Sequence, residues 1–165
     1  GADAAKAWAK GVKANLARKP QGNDRTQVKA VYQGECDVAV GNTYYMGKMA
    51  TNTKDPVQKE WAQSVNIIFP NQNGRGAHVN VSGAGVTTSA KNKANAIKLI
   101  EFLSDDAAQK IYAESNFEYP VKAGVPLHPL VASWGKFKVD KAYLSKIANE
   151  RTKATKMVDQ VAFNR

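Results

Sequence analysis

The sequence predicts an α/β fold, on three observations. Helical hydrophobic patterns alternate along the chain with short apolar runs. Those runs, "CDVAV", "VNIIF" and "AHVNVS", are bounded by turn-forming residues. No internal repeat or low-complexity tract interrupts the alternation.

In chain order, Asp3 can cap a first helix whose Trp8, Val12 and Leu16 recur on one face, with Pro20 forbidding continuation. "KPQGNDR" is a turn cluster, and Asp24 with Gln27 reads as a capping box. The short helix it opens turns Val28, Val31 and Tyr32 inward and stops at Gly34. "CDVAV" has the mostly apolar form of a buried central strand. Asp55-Pro56 starts a helix carrying Val57 and Trp61. "VNIIF" reads as a second buried strand, and the alternating "AHVNVS" as a half-exposed one. "ANAIKLIEFLSDDAAQKIYAES" makes two helical pieces broken near Ser104. Proline-punctuated coil follows, then a last helix from about Asp140.

The 165 residues suffice for a domain with a real core, at ordinary hydrophobic (43%) and charged (23%) content. No apolar run approaches the roughly 18 residues of a membrane span, and the start lacks the apolar region of a signal peptide. It reads as a helix already under way, as in a piece of something longer. The single cysteine, Cys36, excludes an internal disulfide and a cysteine-based zinc site. The net charge of +10 is spread over nearly every helical segment, with no stripe of cations interleaved with aromatics. That pattern indicates a solvated basic surface and no nucleic-acid partner, while leaving attraction to an anion open.

Two glycine-rich stretches fail as phosphate cradles. "GRGAHV" ends in Val79 where a dinucleotide fingerprint needs glycine, and "GAGVTTS" lacks the phosphate-loop lysine. His78 and His128 have no partners at metal-ligand or catalytic-triad spacing. Tyr44 and Lys48 match the Tyr-x-x-x-Lys of short-chain dehydrogenases, but no nucleotide-binding unit precedes them. No enzyme reading survives.

Tyr44 and Tyr45 remain. One core ring and one surface ring is the ordinary arrangement for such a pair. Here, however, the pair follows the carboxyl end of a predicted strand, where open α/β sheets bind ligands. Gly41-Asn42 adds an adaptable turn and an amide, and an irregular turn would let both rings face one ligand. A phenol binds metal only after losing a proton held near pKa 10, so its partner is a hard, strongly acidic cation such as ferric ion.

"VKAVYQGECDVAVGNTYYMGKM", with the downstream "IIFPNQNGRGAHVNVSGAGVTTSAKNKANAIKLIEFLSDDAAQ" and "FEYPV", closely resembles the periplasmic ferric-iron-binding proteins of bacterial ABC importers. The likeness runs from about Gly1 to Phe163. It implies a class II periplasmic-binding-protein-like α/β fold, of which this chain resembles the carboxyl-terminal portion of a two-lobed molecule. It implies that Tyr44 and Tyr45 are ligands of Fe(3+), that Asn42 and Asn23 help hold a synergistic anion such as carbonate, and that no catalysis occurs. It also implies a periplasmic location, delivery to an inner-membrane permease, and a missing amino-terminal part as partner. A related binding protein for a polyamine or an oxyanion is the alternative. By the same analogy, residues 1–75 belong to the carboxyl lobe, 76–122 cross to the other, and 123–165 return as packing helices. His78, near that crossing, is expected to be structural. Without its companion lobe the chain is expected to hold iron poorly and to self-associate.

Overall fold

The computed structural model describes residues 1–164. Eight helices account for its regular structure: α1 (Ala2–Ala14), α2 (Asp24–Tyr32), α3 (Thr43–Ala50), α4 (Val57–Gln63), α5 (Lys93–Leu103), α6 (Asp106–Asn116), α7 (Pro129–Ser133) and α8 (Leu144–Gln160). The α2, α3 and α4 helices pack on one another, α6 leans on α3, and α1 lies along α8.

The helix signals were mostly legible. Gly34 sits at φ +73°, the left-handed conformation that ends α2 at no side-chain cost. Ser104 closes α5 and Asp105 caps α6, where the break was expected. The cap of α2 lies one residue earlier than read: Asn23, not Asp24, accepts the Thr26 N–H, and Thr26 completes the box. Two helices differ more. Asp3 lies inside the first turn of α1 instead of capping it, and Trp8 is 70% exposed while Ala9 is the buried position. The short α7, whose start His128 caps by accepting the Leu130 N–H at Nδ1 (3.1 Å), replaces part of the coil that the prolines predict there.

The predicted strands are corrected. Among the described residues the only β pairing is a parallel bridge between Ala77 and Val139. "CDVAV" and "VNIIF" run without ladder partners, and Val38, Val40 and Ile68 are 78%, 91% and 82% exposed. The reason is physical: a strand exists only by hydrogen bonding to a neighbouring backbone, and no other described segment offers these runs a ladder. Cys36 is accordingly half-buried rather than part of a core strand.

The core is small and sits behind α3. Met49 and Val131 are fully buried, with Ala62, Ala113 and Phe117 around them. Phe117 terminates α6 in the left-handed region at φ 58°, unusual for a bulky residue, and its ring presses on α3 at Gly47. A Cβ on Gly47 would meet Phe117 Cδ1 at 2.6 Å. Gly47 is therefore a packing requirement, although glycine weakens a helix interior. The far edge of the Phe117 contact is His128, edge-on at 4.8 Å. An open cleft of about 310 Å³, lined by Met46, Ala62, Asn66, Leu130 and Trp134, lies on this back side of α3.

Two outcomes follow. Gly47→Ala should lower stability by about 1–3 kcal/mol through overpacking, read as a lower denaturant midpoint at unchanged slope. Phe117→Leu in the same chain should recover part of that loss, whereas a steric conflict elsewhere would leave it unrelieved. Separately, exposed Val38, Val40 and Ile68 should drive self-association, and changing all three to Thr should bring the mass by light scattering towards the monomer.

Candidate metal centre on the first turn of α3

The tyrosine pair lies in the first turn of α3, not in an irregular turn ahead of a helix. Asn42, in an extended conformation with φ −85° and ψ 134°, is the N-cap, and its carbonyl accepts the Tyr45 N–H at 3.2 Å. Neighbouring helical positions normally diverge, yet both rings fold to the same side. Their centroids are 4.3 Å apart and tilted by 31°. Both rings are half-buried, so neither is lost in the core.

Each ring carries a cation on its face. The Arg25 guanidinium, from the first turn of α2, stands 5.3 Å from the Tyr45 centroid. The Lys48 ammonium, one turn along α3, stands 5.2 Å from the Tyr44 centroid. The start of α3 is in turn held by α2. Asp24 Oδ1 accepts the Asn42 backbone N–H at 2.6 Å and its side-chain Nδ2 at 3.0 Å. The other end of the same amide, Oδ1, accepts from Asn80 Nδ2 at 3.1 Å, and Asn80 Oδ1 lies 3.3 Å from His78 Nε2.

These contacts place the expected residues. Tyr44, Tyr45 and Asn42 come together, while the Asn23 oxygen is occupied in capping α2. His78 joins the polar chain leading to Asn42, and His128 belongs to the packing around Phe117. Sequence reading missed Asp24, Arg25 and Asn80. Asp24 and Arg25 end the "KPQGNDR" turn cluster, but nothing in that pattern says that they reach across to α3. Glu118 was missed too. It accepts from Ser82 and Asn116 and bears on Tyr44 by its charge.

The electrostatics are specific to Tyr44. Its proton is held first by the adjacent Tyr45 hydroxyl, then by burial and by the negative charge of Asp24 and Glu118, which push its pKa up to about 12. Among the described residues no group of three or more His, Cys, Asp or Glu could hold a metal ion. Phenol oxygen is a donor that this face does offer, and a cation must displace a firmly held proton to reach that of Tyr44.

Comparison with known proteins identifies the family. The family model for bacterial extracellular solute-binding proteins matches residues 1–146, and the chain belongs to that family. It is similar to the iron uptake protein A1 of Synechocystis sp., at 49% identity over 99% of this chain and 45% of that protein. Among solved structures it resembles the apo ferric ion-binding protein A of Pasteurella haemolytica, at 50% identity and a TM-score of 0.91, over 97% of this chain and 49% of that one. A Trichodesmium protein in complex with iron and citrate ligands superposes with a TM-score of 0.93 at 44% identity, over 99% of this chain and 51% of that one. The fold is thus part of the class II periplasmic-binding-protein architecture, and the chain spans about half the length of the relatives it matches.

The metal-free chain offers a direct check on the phenol pair. Tyr45→Phe removes the largest cause of the Tyr44 shift, so Tyr44 should fall from about 12 towards the ordinary phenol value. Tyrosinate absorbance or ring NMR reads this. The sign for stability follows from the raised pKa. The contribution is present below the ordinary phenol pKa of about 10 and is lost as pH rises through about 12.

Proposed function

We propose that this chain is the iron-holding portion of a periplasmic solute-binding protein of an ABC importer, capturing ferric ion through the phenolates of Tyr44 and Tyr45. The observation that carries the proposal is the convergence of two half-buried phenols, 4.3 Å apart, in one helical turn. Hard phenolate oxygen suits a hard trivalent cation, and it needs an acidic metal to drive off its protons. The names of the similar proteins, an iron uptake protein and a ferric ion-binding protein, support the same cargo.

The protein's part in the process is capture and release, with no bond of a substrate made or broken. Arg25 and Lys48 stand over the two rings, and a companion anion balances the charge that the metal brings. Further ligands come from a second lobe closing over the metal, which excludes water and strengthens every interaction inside. Residues 1–75 and 123–165 form the lobe bearing the tyrosines, and 76–122 pass towards the other. The loaded protein then hands its ion to an inner-membrane permease.

Adding a ferric salt held by a weak chelator should give a visible phenolate-to-iron charge-transfer band. Tyr44→Phe with Tyr45→Phe should abolish the band and leave the helical circular dichroism unchanged, because Phe keeps the ring and deletes only the ligand oxygen. A band that survives the double substitution would refute the assignment. A polyamine or oxyanion carrier would give no colour at all. In this chain alone a strong competing chelator should strip the iron, since two phenolates leave most of the ion's shell open to water.

A further inference from the structure

The resemblance assigns the companion anion to Asn42, but the geometry argues otherwise. The Asn42 backbone N–H and one of the two Nδ2 hydrogens are taken up by Asp24 Oδ1, at 2.6 and 3.0 Å, which leaves a single amide hydrogen for any other acceptor. An anion arriving there would meet a carboxylate at close range, and like charges at such distances repel strongly. Glu118, the other acid bearing on the pair, is satisfied by Ser82 and Asn116. The pair's surroundings therefore hold two acids already engaged with neutral partners, and two cations over the rings.

Of those cations, Arg25 has the unused chemistry. Among the described residues it pairs with no carboxylate, and its guanidinium donates no hydrogen bond to another side chain or to the backbone. Its Nε is sealed from solvent without an acceptor, which a native protein rarely tolerates. The group lies 5.3 Å from the Tyr45 centroid, with Asp24, its neighbour in sequence, committed to Asn42. A planar fork of donors is the natural partner of a planar oxyanion, which it grips by two parallel hydrogen bonds. A trivalent cation on two phenolates, flanked by Arg25 and Lys48, also leaves excess positive charge that an anion would neutralise.

We infer that Arg25, rather than Asn42, seats the anion that accompanies the metal, and that the anion belongs to the carbonate or carboxylate class. The inference deepens the ferric reading and rests on it for the anion's purpose, though not for its seat. The metal-free test uses the chain labelled with ¹³C and ¹⁵N in arginine and asparagine, titrated with bicarbonate at constant pH and ionic strength. The Arg25 Cζ and Nε signals should shift saturably, with the Asn42 Nδ2 signals moving little. Arg25→Gln should remove the saturable response, and Arg25→Lys should keep a weaker one. Saturation at Asn42 with a silent Arg25, or no saturable shift anywhere, would overturn the inference whatever iron does. With ferric ion added, bicarbonate should move the charge-transfer band in the native chain and in Asn42→Ala, but not in Arg25→Gln, which should still show a band. A band that responds to bicarbonate equally in Arg25→Gln and the native chain also overturns it. Failure of the native chain to colour would instead sink the ferric reading and leave the arginine signals to decide the seat.

Discussion

The grip of Asp24 on Asn42 is the contact on which the site depends. A helix start has backbone N–H groups with no partner inside the helix. At α3 the residue opening that start is anchored by a carboxylate from another helix, 18 residues earlier in the chain. One oxygen takes both a main-chain and a side-chain donor, so it fixes the N-cap's position and its amide's orientation together. Gly41 lets the two segments approach this closely, since a Cβ there would stand 3.3 Å from the same oxygen. The tyrosines follow within three residues, and their direction is inherited from this anchor. Because the anchoring helix also carries Arg25, the same contact delivers a cation to the face of Tyr45.

From behind, α3 is held by Gly47 and Phe117. The glycine gives up helix propensity so that a ring from the end of α6 can lie against the helix. That ring sits there because Phe117 accepts a left-handed backbone conformation, a cost that packing against α3 and the edge of His128 offsets. Tyr44 and Tyr45 occupy the front of a helix whose back is locked. Phenols on a rigid element keep their spacing without a bound ligand.

Charge divides the work around the pair. Tyr45 and burial hold the Tyr44 proton, helped by the charge of Asp24 and Glu118, while a cation stands over the face of each ring. A metal reaching the Tyr44 oxygen must therefore displace a firmly held proton. On the ferric reading proposed above, that requirement favours highly charged cations over weaker ones.

The sequence by itself determined the helices with strong local signals: Gly34 after α2, the break at Ser104, the Asp55-Pro56 start. Those are decided by backbone chemistry within a few residues, which neighbours cannot easily override. It also singled out Tyr44 and Tyr45, because two adjacent phenols after a Gly-Asn turn are chemically unusual wherever they fold. It misjudged "CDVAV" and "VNIIF", since apolar composition states a preference for burial and pairing but cannot supply the partner strand. The capping role of Asn23, the reach of Asp24 to Asn42, the place of Arg25 over Tyr45 and the need for Gly47 were decided only by tertiary structure. Each depends on two segments meeting, from 18 residues apart for Asp24 and Asn42 to 70 for Gly47 and Phe117, or on a one-residue shift of a cap that local pattern leaves degenerate.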